Sequence, residues 1–285
     1  MSLPLPSGGG TAAPTHRPTP APTAPPAGNG SCPDDPQSAV DATPKGGTLD
    51  LSGCRYTTTL TIERAMTLRG GTLSAPSAKD YIVRVEAAGV TIDGLTTTGG
   101  FAGIWADNGT DLVVRDSTVT DAKYAGIMVL SGSHCTITAN DVERIDVNGS
   151  HGDNAYGIAL SNTTGGSAGA PSQDCTISDN LVNDVPLWHA FDTHGGQHLT
   201  FTHNTAENSS RAFFMTDSNA AGADNVVSDN LIVAGSATYN LIGITCYDED
   251  GLSVTGNTIE GYPTGILNYQ DSCTGLTQSG NTMKP

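Results

Sequence analysis

From about Thr48 onward the chain repeats itself, and no other feature restricts its fold so strongly. Short segments such as Thr91-Ile92-Asp93-Gly94, Val113-Val114-Arg115-Asp116, Thr136-Ile137-Thr138-Ala139-Asn140 and Thr176-Ile177-Ser178-Asp179-Asn180 alternate apolar and polar residues. Each then stops at Asn or a substitute. Asn180, Asn204, Asn230, Asn257 and Asn281 follow one another at 24 to 27 residues. The interval of 40 between Asn140 and Asn180 marks an insertion. Stacked asparagines suit a tight turn, where side-chain amides satisfy backbone groups and one another.

A second strand precedes each of these segments. Aligned on a large apolar fourth residue, the set has Ile104, Ile127, Ile158, Phe191, Phe214, Ile242 and Ile266 at that place. Period two then sends the fourth and sixth residues, and nominally the second, inward. The fifth and seventh face outward. Short strands at a period in the twenties, without helices between them, predict an all-β, single-stranded right-handed parallel β-helix. A propeller blade needs about 40 residues, and hairpins need two-residue turns. The solenoid is expected over residues 32–285. Asp35-Pro36 offers an N-cap and a first-turn proline for a short capping helix through Ala42. Residues 1–31, rich in Pro, Thr, Ala and Gly, read as a linker too poor in large apolar groups to fold.

Composition removes whole classes of function. The net charge of −17 and the lack of a Lys/Arg cluster argue against nucleic acid as a partner. No apolar run is long enough to insert in a membrane. Six cysteines and no CxxC pair suit an oxidising compartment rather than a zinc site. Cys32 and Cys54 flank the expected helix and are placed for a bridge. Cys135 and Cys175 share one inward position on consecutive coils, as a bridge or as two stacked thiols, the bridge being preferred. Cys246 and Cys273 follow the last two rungs and can pair as well. Met1-Ser2-Leu3 has neither a charged nor an apolar leader region, which fits a mature secreted chain. It is expected to work as a monomer.

Chemistry concentrates on Trp188-His189-Ala190-Phe191-Asp192-Thr193-His194. In this register Asp192 is fifth and His194 seventh, both outward. Asp217 is read as the seventh residue of the following rung, one strand spacing from His194, and Arg211 as its first. His151 and Asp153 lie on the inserted loop at the edge of the same face. Each has a plainer reading. A lone outward Asp is usually solvated, His189 fits a hydrogen-bonded turn residue, and His151 and Asp153 can simply tighten their loop. His198 and His203 read as structural or solvent-exposed, and Thr193 as core. Trp188 serves equally as packing or as a sugar platform. The coincidence of Asp192, His194 and Asp217 on one face is what singles out the site.

The stretch His189-Ala190-Phe191-Asp192-Thr193-His194 resembles the Tyr-Gly-Phe-Asp-Pro-His motif of the mannuronan C5-epimerases and related alginate lyases, which are right-handed β-helix enzymes acting on polyuronates. Phe191, Asp192 and His194 match it, and Asp217 stands where that family has a further catalytic Asp. His189 replaces the tyrosine, and Tyr239-Asn240 replaces an Arg-His pair. The resemblance implies a polysaccharide substrate and proton abstraction at C5 of a uronate, with His194 as base. Arg211 or a bound Ca²⁺ would offset the sugar carboxylate. Asp192 and Asp217 would orient the imidazole or bind metal, and His189 or Tyr239 would deliver a proton. Trp188, His151, Asp153, Tyr239 and Trp105 would contact the sugar. Two alternatives stand beside this: a glycoside hydrolase with Asp192 and Asp217 as acid and base, and a non-catalytic carbohydrate-binding β-helix relying on Trp105 and Trp188.

Overall fold

The computed structural model describes residues 31–107, 109–149, 154–162, 170–216 and 221–285. The expected linker lies outside these residues except for Ser31. A seven-residue helix, Pro36–Ala42, starts the fold, with the Asp35 side chain accepting from the Gln37 and Ser38 amides. The chain then winds as a right-handed parallel β-helix. One face is a ten-stranded sheet of three-residue strands, from Thr48–Asp50 to Thr277–Ser279, each paired in parallel with the next. The middle residue of each interior strand points inward and is fully buried, as with Ile92, Val114, Ile137, Ile177, Phe201, Val227 and Val254. These stack into one apolar column, so each coil buries its stripe against its neighbours.

The asparagines form the expected ladder. Asn204 Nδ2 donates to the Ile177 carbonyl (2.8 Å) and to Asn230 Oδ1 (3.2 Å), and its Oδ1 accepts from the Asn180 amide (3.0 Å) and Nδ2 (2.9 Å). The same pattern runs from Asn140 to Asn281. The residue before each Asn turns the corner with positive φ, as at Asp179, His203 and Asp229. His198 occupies a second such corner (φ 52°) and, like His203, is exposed. Both therefore serve as corner residues. All three disulfides form, Cys32–Cys54, Cys135–Cys175 and Cys246–Cys273.

The outer rungs depart from the expected register in two ways. First, strict alternation breaks at the third residue. A Cβ on Gly103, Gly126 or Gly157 would come within 2.3–2.4 Å of the interior Val119, Val142 or Val182. The third and fourth residues thus both face inward, and the second joins the fifth on the outer face. His189 is consequently outside, not inside. Second, Phe213 rather than Phe214 lies opposite Phe191, and Ile244 rather than Ile242 lies opposite Phe213. Packing decides this: Phe213 stacks on Phe191 in the core (4.7 Å, 10°), while Phe214 lies outside on His189. Arg211 is therefore a second-position residue paired with His189. Extending that register sets Thr216 opposite His194, and the expected seventh-position Asp217 lies outside the described residues.

The ladder predicts a graded response to asparagine loss. Asn204→Ala strands buried partners on both sides and should cost about 3 kcal/mol, whereas Asn281→Ala, at the exposed end, should cost about 1 kcal/mol. Urea unfolding of the two variants measures the difference.

Candidate functional site

The strand Leu181–His194 carries His189, Asp192 and His194 outward from one coil. Asp192 lies between the two imidazoles and is only 1 % exposed. Its Oδ2 meets His189 Nδ1 in a short hydrogen bond. Its Oδ1 lies 3.2 Å from His194 Nε2, close enough for attraction but not aligned for a hydrogen bond. His194 stands at the rim, with a quarter of its side chain exposed. The fifth position faces outward as expected, yet a layer of rings above the sheet keeps Asp192 from water.

His189 is held between aromatic planes. Trp188 stacks on it at 4.6 Å and Phe214 at 4.3 Å, both near parallel. Tyr156, at the same register one coil earlier, presents its ring edge-on to both His189 and His194. Burial pushes the His189 imidazole down to about 4, against the opposing pull of Asp192. The ring is thus neutral at neutral pH, with its proton on Nδ1 toward Asp192. Nε2 is then a bare lone pair, buried and without a partner among the described residues. The Trp188 indole N–H is likewise buried and unpartnered among them. Two such groups on adjacent rings cost stability where they stand.

Arg211 sits one coil further on, its guanidinium 5.4 Å over the Trp188 ring and 5.3 Å from Phe214. With its amide oxygen turned to the guanidinium, Asn240 accepts from Nε (3.3 Å) and Nη2 (2.6 Å). Among the described residues Arg211 has no carboxylate within ion-pairing distance. Burial lowers its pKa, and Tyr269, Tyr239 and Asp192 act in the opposite sense. A half-buried cation held by a neutral amide can take an external anion without first losing an internal one.

The structure brings together Asp192, His194, His189, Arg211 and Trp188, and sets the exposed Tyr239 close to the guanidinium. Trp105 is three coils away, buried, and donates to Asp107 Oδ1 (3.0 Å). Asp217, His151 and Asp153 lie outside the described residues. Sequence reasoning missed Tyr156, Phe214 and Asn240, and also Tyr124. The Tyr124 hydroxyl is pushed up to about 12 by burial and then by the Asp192 charge. Aligning the rungs on their small third residue (Gly157, Ala190, Ala212, Gly243) brings out the column Tyr156, His189, Arg211. Among the described residues no group of three or more His, Cys, Asp or Glu is placed to hold a metal ion.

Residues 75–232 match the family described as right handed beta helix region. Among solved structures, an alginate lyase from Paenibacillus sp. str. FPU-7 superposes with a TM-score of 0.70 at 15 % identity, over 87 % of this chain and 94 % of that one. An exopolygalacturonase from Thermotoga maritima gives 0.56 at 11 % identity, over 81 % and 72 %. The GH136 lacto-N-biosidase of Eubacterium ramulus gives 0.56 at 10 % identity, over 81 % of this chain but only 44 % of that one. At these identities the likeness is one of fold. No curated protein sequence matches this chain.

The unfolded chain takes up a proton on His189 near pH 6.5 that the folded chain refuses until about 4. The contribution of this group to stability is therefore intact above about 6.5 and is lost as the pH falls toward about 4. Imidazole ¹⁵N shifts should show Nδ1 protonated and Nε2 bare at neutral pH, with no titration of His189 until the pH nears about 4. A midpoint near the ordinary histidine value would contradict this account.

Proposed function

The chain belongs to the right-handed β-helix family, and on that frame we propose a secreted polysaccharide lyase or C5-epimerase acting on a uronate-containing polysaccharide. The observation that carries this reading is Arg211, half-buried and without a carboxylate partner among the described residues, beside the row His189, Asp192 and His194. A uronate carboxylate placed on Arg211 loses part of its charge. The proton on the adjacent carbon, C5, then becomes acidic enough to remove. His194, at the rim, is the group best placed to take it, with the Asp192 carboxylate behind it to offset the imidazolium that forms.

In elimination the C5–H electron pair becomes the C4–C5 double bond, the C4–O bond breaks, and the imidazolium returns its proton to the leaving oxygen. In epimerisation the exposed Tyr239 hydroxyl gives C5 a proton from the opposite face instead, and the imidazolium and phenolate return to their starting states by proton exchange with water. His189 is neutral and buried between two rings, so it serves to hold Asp192 through Nδ1 rather than as the acid. Arg211 supplies the positive charge that calcium would otherwise bring. The three disulfides agree with work outside the cell.

Arg211→Ala and His194→Ala should each lower kcat by about 100-fold or more, while Tm moves little for the rim variant. The assay is the ultraviolet absorbance of the unsaturated product, with NMR of the polymer for inverted C5 centres. New reducing ends with neither signal would replace this reading by a hydrolase. Unchanged turnover in both variants would remove the site altogether.

A further inference from the structure

The outer face around the site is a continuous wall of rings. On the N-terminal side Tyr156 touches Tyr124 (5.3 Å), Tyr124 stacks on Phe101 (4.7 Å), and Phe101 meets Tyr81 (5.5 Å). On the C-terminal side Phe214 meets Tyr247 (6.5 Å), and Tyr247 meets Tyr269 (4.8 Å). The rungs behind them, from Tyr81–Val85 to Thr264–Asn268, pair consecutively in parallel. Seven steps of roughly 4.8 Å make a wall of about 34 Å along the solenoid axis, with the His–Asp–His coil inside it.

This wall offers an anion almost nothing except Arg211. Arg84 is committed to Asp107 (2.7 Å) and Glu86 (3.1 Å). Lys123 borders a hollow at the preceding corner together with Asp121, Arg144 and Asp146, and Arg144 is itself paired with Asp121 and Glu143. Lys79 is exposed on the turn before Tyr81. The stretches outside the described residues after Ser31 contain no Lys or Arg at all, though they add Asp153 and Asp217. A homopolyuronate laid along the wall would bring roughly one carboxylate per coil against Arg211 within the wall, the exposed Lys79 and Lys123 at its edge, and a chain of net charge −17. Like charge on that scale raises the binding cost at most of the sugars. Neutral pyranoses, by contrast, stack their C–H faces on such rings without needing a counter-charge.

Resting on the reading above, we propose that the substrate is a heteropolysaccharide lying lengthwise on this wall, with isolated uronates set among neutral sugars. The uronate goes to Arg211 and neutral rings cover Tyr81, Phe101 and Tyr124.

The test compares initial rates of unsaturated product from alginate and pectate, which are polyuronates, with those from gellan and hyaluronan, whose 4-linked backbone uronates are spaced by neutral sugars. The full chain is used at equal uronate concentration. A rate at least about tenfold higher on either heteropolymer is expected. Tyr81→Ala, four coils from the chemistry, should raise KM on that polymer several-fold with kcat unchanged, and should leave a short oligosaccharide substrate unaffected. Equal or faster elimination on alginate or pectate overturns this proposal and leaves the lyase reading in place. Reducing ends without unsaturated product from all four polymers removes the lyase reading, and this proposal with it. A Tyr81→Ala variant that keeps its Tm and its KM overturns the lengthwise placement.

Discussion

In-register parallel stacking is the constraint from which every neighbour relation in this molecule follows. Once one rung is placed, the hydrogen bonds of the next leave only whole-residue choices, and each choice sends a different set of side chains outward. His189 meets Arg211 and Tyr156 because they are the same residue of adjacent rungs. The asparagine ladder secures the same register at the corner, where the chain has few apolar groups to do so. A site of this type is built across turns rather than within one, so its chemistry is only as well defined as the stacking.

The solenoid, its capping helix and its three bridges were legible in the sequence because they rest on periodicity and on small-to-large patterning. The Asn interval and the buried middle residues leave little freedom. The site was legible in part. Asp192 and His194 stand outward on one coil as their spacing required, but their neighbours did not follow from the same rule. Phe213 and Phe214 are equally good candidates for the core by hydropathy, and only the stack of Phe213 on Phe191 separates them. The burial of Asp192 was also not legible, since it comes from rings contributed by other coils. Local pattern reports which way a side chain points, and not what lies above it.

That burial changes the character of the site. A carboxylate removed from water is costly unless hydrogen bonds and nearby positive charge compensate it. Asp192 has one firm bond to a neutral imidazole and a second imidazole beside it, while Arg211 stands nearby without joining the pair. The arrangement keeps acid and cation apart, although a direct ion pair would satisfy both. Separation leaves each able to respond to a bound molecule, at the expense of some stability in the empty site.

The three disulfides divide the rod unevenly. One joins the entry segment to the first coil, one joins the last two rungs, and one crosses the long interval in the middle. A solenoid whose turns touch only their neighbours would ordinarily unravel from its termini, one turn at a time. Here the entry segment and the rung before the last strands are each sewn to the turn beside them. Two runs of coils carry no bridge within them, Cys54 to Cys135 and Cys175 to Cys246, and the second holds His189, Asp192 and Arg211. The coils that must admit a polymer are thus held by stacking alone.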